Sequence, residues 1–332
     1  MPYYPEKKPD IPEETKQEAR TTEKRRKLLR VSLAVVSCLL IAYGGIRLIV
    51  YISELAASRQ TSRELQKIND LAESGTDFPL PAETVSPPPV LPSAPAAAGQ
   101  ELQDTETLPP VIEADDGVLR PVPYPDNPKL VISERFLSLR RKGEYIVGWI
   151  SFDQVDEAVA QKDNTYFMNH DALGKRNSNG AIFLDEDVRL LSTRPYTLFL
   201  YGHNMKSGNM FGRLKKYKEN TYFYQHRIIT FDTMYEEGQY AVFAVMEMNT
   251  VPGTGQWYDL WSLNTDSSAD REKAIRTLEG RSAIRSMLDV QADDQLLLLT
   301  TCLDGETERL VVAARRLRND ETADKLTLRL EQ

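Results

Sequence analysis

A long apolar run near the N-terminus is the first clear pattern in the sequence. Residues 31–52 read VSLAVVSCLLIAYGGIRLIVYI, and Arg47 is the one charged side chain in these 22 positions. About 20 apolar residues in a helix cross the hydrocarbon core of a bilayer. Arg47 would lie near the outer end, where its long side chain reaches the interface. The basic stretch KRRKLLR at 24–30 precedes the run, so we expect a transmembrane anchor with a cytoplasmic N-terminus.

Two other interpretations of this run are weaker. A cleaved signal peptide would show a small-residue cleavage site after a short basic region, whereas here 30 residues come first. A buried helix of a globular domain would not be expected between a dense basic flank and a proline-rich linker. We therefore expect a retained single-pass anchor in the cell membrane, with the following domain outside the cell.

The segments around the anchor differ in composition. Residues 1–30 mix charges with prolines and lack hydrophobic periodicity, which predicts a disordered cytoplasmic tail. Residues 53–71 have a helical composition and suggest a short stalk. Residues 79–128 hold 13 of the 19 prolines, as an extended linker does. We thus divide the rest of the chain into a stalk and extracellular linker at 53–125 and a folded domain at 126–332.

The folded domain consists mostly of short apolar runs rich in β-branched and aromatic residues, with two segments of helical pattern. Seven such runs with few helices favour a β-barrel or a β-sandwich. Segments 130–142 and 268–288 are predicted to be helices, the second capped by Ser268 or Asp270. The predicted strands are 145–152, 181–185, 196–203, 227–233, 239–248, 295–302 and 308–317.

Composition and charge exclude several functional classes. Lys and Arg number 41 and Asp and Glu 49, a formal charge of −8, which argues against a nucleic-acid partner. Two cysteines exclude a disulfide-rich scaffold, and three scattered histidines without neighbouring cysteines do not resemble a zinc site. Glycine-rich stretches lack the lysine of a P-loop. We expect neither a metal nor another cofactor.

One cysteine outside the predicted membrane span carries the candidate chemistry. Cys38 lies within the span, so Cys302 has no intramolecular disulfide partner. A lone thiol is either buried and inert or chemically used. Cys302 ends the apolar strand LLLLTTC, a common place for a catalytic side chain. Arg309 opens the next strand, so a hairpin would bring it near, where a cation favours a thiolate or an oxyanion. The alternative is that Arg309 is only a solvated residue at the start of its strand.

A thiol nucleophile needs an acid and base, and the chain offers three histidines. His203 ends the predicted strand YTLFLYGH and leads into a loop rich in Gly and Asn. His170 lies in a predicted loop, and His226 lies at the start of a strand. We favour His203 because it also lies at a strand's carboxyl end, and we expect structural roles for the other two.

These residues together resemble the sortases, and most closely the class B sortases. YGHNMKSGNMFGRLKKY at 201–217 is similar to the class B histidine motif. Residues 147–185 are similar to the class B opening strands, and LTTC followed by RLVVAA resembles the sortase Cys and Arg pair. The resemblance covers residues 126–318 and also implies an N-terminal membrane anchor.

The resemblance implies a mainly β fold, a closed sortase barrel of about seven to eight strands. An N-terminal helix and a helix before the penultimate strand would accompany it. It implies His203, Cys302 and Arg309 as catalytic residues. It also implies Asn164 and Thr300 as substrate contacts, although turn capping and strand pairing explain these two equally well.

The implied reaction is transpeptidation through an acyl-enzyme on Cys302. The implied partners are a sorting peptide of exported proteins, cleaved after Thr, and an amine of peptidoglycan. The motif would be of the Asn-Pro-x-Thr or the Leu-Pro-x-Thr type.

The sequence departs from the family pattern in two places and leaves alternatives open. Leu298 occupies the position of the first Thr in Thr-Leu-x-Thr-Cys, and only six residues separate Cys302 from Arg309. An inactive sortase-fold scaffold and a pilin-polymerising sortase remain alternatives. Papain-like peptidases place Cys before His, the reverse of the order here, and L,D-transpeptidases carry a different cysteine motif.

Overall fold

The computed structural model describes residues 13–74, 117–120, 122–191, 193–303 and 307–330, and it divides into two units. The first unit ends at Ala56 and the second begins at Ala57. One helix, α1, runs over Glu13–Glu73 and contributes to both units.

Within the first unit, the apolar stretch of α1 at residues 31–52 is solvent-exposed. Among the described residues, one helical stretch, Lys24–Glu73, is long and apolar enough to cross a membrane; its most apolar window has a mean hydropathy of 2.2. Helix also covers residues 13–30, where we expected disorder. No proline occurs between Pro12 and Pro79, and Lys, Arg, Glu and Ala favour helix. Residues 1–12 and most of the predicted linker lie outside the described residues.

The second unit is built on a closed barrel of eight strands, which confirms the predicted fold. The strand order around the barrel is β1-β2-β3-β4-β7-β8-β6-β5. All neighbouring pairs are antiparallel except β2 with β3 and β4 with β7. The strands are β1 (Ile146–Phe152), β2 (Val155–Ala160), β3 (Ile182–Leu184), β4 (Thr197–Tyr201), β5 (Ile228–Thr233), β6 (Gln239–Asn249), β7 (Leu296–Cys302) and β8 (Glu308–Arg316).

Strand β7 is the most apolar strand, and its place in the barrel explains why. Leu296, Leu297, Leu298 and Leu299 are fully buried, so both faces of the strand are covered. A strand buried on both faces has a continuous apolar sequence instead of an alternating one. Leu298, at the position of the family's first Thr, thus contributes to the core.

Strand β2 was not predicted from the sequence. Its residues VDEAVA include two carboxylates, so the apolar pattern is weak. A tight turn at Asp153 and Gln154 connects it to β1, and Asp153 has a positive φ of 48°. Aspartate tolerates this left-handed conformation better than most residues.

Both predicted helices of the domain are present, with changed ends. The first, α2, covers Glu134–Lys142 and is capped by Ser133, whose Oγ accepts from the Phe136 N–H at 3.4 Å. The second, α4, covers Ser268–Gly280 and precedes β7. Its N-cap is Ser267, one residue before the first predicted cap.

Helix α4 ends before residue 288 because the chain then bonds to the barrel. The Val245 N–H donates to the Ser282 Oγ at 3.0 Å, and the Ala283 N–H donates to the Val245 carbonyl at 2.7 Å. Two shorter helices are α3 (Asn220–Gln225) and α5 (Ala323–Leu330). Turns of 3₁₀ helix cover Tyr166–Met168, Leu214–Lys218 and Leu260–Asn264.

The last turns of α1 pack against the barrel within the second unit. Leu65 is 1% exposed and Ile68 is 7% exposed, and both belong to the hydrophobic core. The Ser62 Oγ donates to the Glu157 carboxylate on β2 at 2.7 Å, and the Lys142 Nζ lies 3.1 Å from Glu64. The compact unit therefore begins at Ala57, well before residue 126, the start of the folded domain that the composition predicts.

Candidate active site

The barrel brings the three predicted catalytic residues to adjacent strands. Parallel pairing of β4 with β7 sets Tyr201 opposite Thr300. His203 and Cys302 each follow two residues later, so both lie at the carboxyl ends of neighbouring strands. Antiparallel pairing of β7 with β8 sets Cys302 opposite Arg309. Neighbouring strands are about 4.8 Å apart, so the histidine, cysteine and arginine form one row.

One pocket contains this row and both predicted substrate contacts. Its volume is about 300 Å³, the lower end of the usual range for ligand pockets. The lining residues are Asn164, Met168, Phe183, Tyr201, Gly202, His203, Thr250, Thr300, Thr301, Cys302 and Arg309. The lining combines aromatic and aliphatic side chains with a few polar groups, as sites for peptides commonly do.

Cys302 is a free, partly buried thiol. Its strand end is tied to the end of β4 by two hydrogen bonds. The Gly202 N–H donates to the Thr300 carbonyl at 3.2 Å, and the Thr301 Oγ1 donates to the Gly202 carbonyl at 2.7 Å. These bonds fix the cysteine strand against the chain that leads into His203. Thr301 was not predicted from the sequence as a contributor to the site.

His203 lies just past the end of β4 and contacts the chain that precedes β3. Its Nε2 lies 2.7 Å from the Met168 carbonyl oxygen. Its own carbonyl accepts from the Met205 N–H at 3.0 Å and the Phe211 N–H at 3.1 Å. The loop after His203 therefore folds back on the histidine backbone and holds it in place.

The other two histidines lie outside the lining of this pocket. The His170 ring stacks on Tyr166 with centroids 4.1 Å apart, and its Nδ1 lies 2.8 Å from the Tyr166 carbonyl. His226 packs on Tyr222 and lies 3.9 Å from Asp153. Both contacts are of a structural kind, in keeping with the roles that the sequence predicts for them.

Arg309 contributes positive charge beside the thiol. Its Nη1 donates to the Glu308 carbonyl at 3.0 Å, and it lies near enough to Tyr201 to oppose the rise in that phenol's pKa. Burial is the larger effect, and with the Asp185 charge it raises the pKa of Tyr201 well above its ordinary value. The phenol therefore remains protonated. Despite the short connection, Cys302 and Arg309 are cross-strand neighbours; residues 304–306 lie outside the described residues.

The two predicted substrate contacts differ in how far their polar atoms are already bonded. The Asn164 Nδ2 donates to Asp185 at 3.2 Å, and its Oδ1 accepts from the Glu186 N–H at 3.0 Å. Asn164 therefore has a clear structural role as well as a place in the pocket wall. Thr300 is 2% exposed, and within the described residues its Oγ1 has no hydrogen-bond partner. A buried hydroxyl of this kind is available to a ligand.

A closed β-barrel with a cysteine, a histidine and an arginine in one row is the arrangement expected of a thiol transpeptidase of the sortase type. The family model "Sortase domain" matches residues 151–317, half of the chain. The chain belongs to the sortase family.

Named relatives point to class B within that family. Sortase B of Listeria monocytogenes is 26% identical over 192 residues, which cover 54% of this chain and 73% of that protein. Sortase B of Staphylococcus aureus is 29% identical over 192 residues, covering 55% and 75%. The crystal structure of sortase B from B. anthracis in complex with AAEK2 matches with a TM-score of 0.50 and 28% identity, covering 58% of this chain and 86% of that one. The chain is thus a class B-like sortase, a cysteine transpeptidase.

Proposed function

We propose that this sortase is a membrane-anchored enzyme that cleaves a sorting motif after Thr and joins the product to a cell-wall amine. The observation that carries the proposal is the row of His203, Cys302 and Arg309 across three adjacent strands, around one pocket. A nucleophile, a proton carrier and a fixed cation within a single pocket are the parts that acyl transfer requires.

Acylation begins with Cys302 as a thiolate. Its sulfur attacks the Thr carbonyl carbon of the motif, and the negative charge moves to the carbonyl oxygen. Arg309 stabilises this oxyanion, because a guanidinium is a fixed donor that remains charged. When the tetrahedral species collapses, the C–N bond breaks and His203 donates a proton to the leaving amine. The product is a thioester between the Thr carbonyl and Cys302.

Deacylation uses an amine of peptidoglycan, in a cross-bridge or a stem peptide. The amine nitrogen attacks the thioester carbon while His203 accepts a proton from it. The C–S bond then breaks, Cys302 leaves as a thiolate, and a new amide joins the sorted protein to the wall. His203 and Cys302 return to their starting charges, so the cycle is balanced.

Peptide recognition would use the wall formed by β4 and β7. The Thr300 Oγ1, which has no partner in the described part of the chain, can donate to or accept from the peptide backbone, and the Tyr201 phenol beside it remains protonated. The Asn164 amide has one N–H beyond its bond to Asp185 for the same purpose. A motif of the Asn-Pro-x-Thr or the Leu-Pro-x-Thr type would occupy this wall, with Thr beside Cys302.

The proposed location follows from the first unit of the chain. Residues 31–52 form the proposed anchor, and the basic residues before them favour a cytoplasmic N-terminus. The catalytic barrel would then be extracellular, where exported proteins and peptidoglycan are available.

Cleavage of short peptides by the full-length chain in detergent tests the proposal. Quenched fluorescent peptides with Asn-Pro-x-Thr or Leu-Pro-x-Thr cores are incubated with and without amine nucleophiles, and Cys302→Ala is the control. We expect cleavage after Thr, amine-dependent ligation, and a covalent adduct on Cys302 by mass spectrometry.

Three results would contradict the proposal. No cleavage and no adduct, from a folded protein with a reactive thiol, would favour the inactive scaffold. Cleavage by the Cys302→Ala protein would assign the chemistry elsewhere. Ligation only to a lysine side chain of a pilin would favour the polymerising alternative.

A further inference from the structure

The Met168 carbonyl determines where His203 carries its proton. A carbonyl oxygen can only accept a hydrogen bond, and it lies 2.7 Å from the His203 Nε2. Nε2 therefore carries a hydrogen in both the neutral and the protonated ring. The nitrogen that gains and loses a proton is then Nδ1.

Gly180 determines how the His203 ring is turned. A Cβ built on Gly180 would lie 2.9 Å from the His203 Cδ2 and 3.2 Å from its Nε2. The ring thus presents its Cδ2–Nε2 edge to Gly180, in closer contact than any side chain at that position would permit. In a five-membered ring the atom opposite this edge is Nδ1, so Nδ1 points away from Gly180.

The order of the strands around the barrel indicates that Nδ1 faces the thiol of Cys302. Gly180 lies two residues before β3, and β3 pairs with one side of β4. Strand β7, which ends at Cys302, pairs with the other side of β4. A ring at the end of β4 that turns its Cδ2–Nε2 edge toward the β3 side therefore turns Nδ1 toward the β7 side.

The turn that carries the Met168 carbonyl is itself firmly held. Phe167 is fully buried, and its carbonyl accepts from the Ala181 N–H at 3.0 Å. Tyr166 is stacked between the His170 ring and the Lys162 ammonium, whose Nζ lies 3.7 Å from the ring centroid. Two successive carbonyls of this turn are thus hydrogen-bonded, that of Phe167 to the Ala181 N–H and that of Met168 to the His203 ring.

We propose that Gly180 and the Met168 carbonyl are positioning elements that hold His203 with Nε2 protonated and Nδ1 facing Cys302. This inference rests on the proposed function for its catalytic consequence, but the ring orientation stands independently. Gly180 suits the task for two reasons: it adopts a left-handed φ of 63°, and an added Cβ would lie 2.5 Å from the Phe167 carbonyl oxygen.

Nitrogen NMR of the full-length chain in detergent, labelled with ¹⁵N-histidine, tests the orientation directly. The sequence has three histidines, and His170→Gln and His226→Gln variants assign their signals. We expect neutral His203 to show a protonated Nε2 and a pyridine-type Nδ1, with Nδ1 responding to pH. A protonated Nδ1, or an equal mixture of the two tautomers, would overturn the proposal.

The substitution Gly180→Ala tests the positioning role, with Gly253→Ala as its matched control. Gly253 has a similar left-handed φ of 86°, but a Cβ there would meet no atom of the described residues within 4 Å. The control therefore carries the backbone strain without the contact. We expect Gly180→Ala to give mixed His203 tautomers and a kcat about 10- to 100-fold lower, with KM within about twofold, because alignment of the acid and base is lost.

The NMR signals of His203 and the kinetics of peptide cleavage test the positioning role and the proposed function separately. Unchanged tautomers and an unchanged pH profile of kcat in Gly180→Ala would overturn the positioning role. An equal loss of kcat in Gly253→Ala would overturn it too, since strain alone would then explain the effect. If the wild-type chain cleaves no peptide, the proposed function fails, while the NMR measurement still decides the ring orientation.

Discussion

Glu157 is expected to make the stability of the barrel depend on pH. Its carboxylate lies on β2 and accepts from the Ser62 Oγ of α1 at 2.7 Å. Burial raises the pKa of Glu157 from the ordinary 4.5 to about 7, the Ser62 hydrogen bond opposes this rise, and the nearby Asp156 charge adds to it. The substitution Glu157→Gln removes the titrating group and retains an acceptor for Ser62.

The direction in which stability changes with pH follows from proton binding. Between pH 4.5 and 7 the folded protein holds a proton on Glu157 that the unfolded chain has lost. The stability that this group contributes is complete below pH 4.5 and is lost as pH rises through about 7. The pKa difference of 7 − 4.5 corresponds to at most ~3 kcal/mol. Water reaches the partly exposed side chain, so we expect roughly 1 to 2 kcal/mol.

The assay is denaturant unfolding of the full-length chain in detergent at several pH values from 5 to 8, followed by tryptophan fluorescence. Trp149 on β1 reports on this region, since its Nε1 donates to Asp156 at 2.8 Å. Glu157→Gln should unfold with a flatter pH dependence and be roughly 1 to 2 kcal/mol more stable than wild type at pH 8.

Glu64→Gln is the matched control. Glu64 lies two residues after Ser62 on α1, but it is about half-exposed and pairs with Lys142 of α2. Its substitution should change stability by less than about 1 kcal/mol at any pH. The same pH slope in wild type and Glu157→Gln would refute the reasoning, as would a wild-type stability that increases from pH 5 to 8 relative to Glu157→Gln.

Two further predictions concern the active site. Arg309→Lys should lower kcat/KM about 10- to 100-fold in the peptide assay, because an ammonium cannot reproduce the guanidinium fork; wild-type activity would exclude an oxyanion role. Thr301→Val removes the 2.7 Å hydrogen bond to the Gly202 carbonyl. Thermal unfolding should show a loss of about 1 kcal/mol, and kcat should fall several-fold. An unchanged kcat would show that this bond does not align the two strand ends.

Some of the active site could be predicted from local sequence. An apolar run that ends at a lone cysteine, and another that leads to a histidine, indicate two strand ends. Strand β2 could not be predicted in this way, because Asp156 and Glu157 interrupt its apolar pattern. Asp156 accepts a hydrogen bond from Trp149 across the β1–β2 turn, and Glu157 accepts one from Ser62 of α1, which is far away in sequence.

The sequence by itself determined the class of fold, the residue types of the site and the apolar segment near the N-terminus. These depend on local composition and on the period of apolar positions, which a linear chain displays directly. Tertiary structure alone decided the register that places Cys302 between His203 and Arg309, and the docking of α1 on the barrel. It also decided the contact of Gly180 and Met168 with the histidine ring. Register and side-chain contacts arise from packing between distant segments, and no local pattern encodes which atoms will meet.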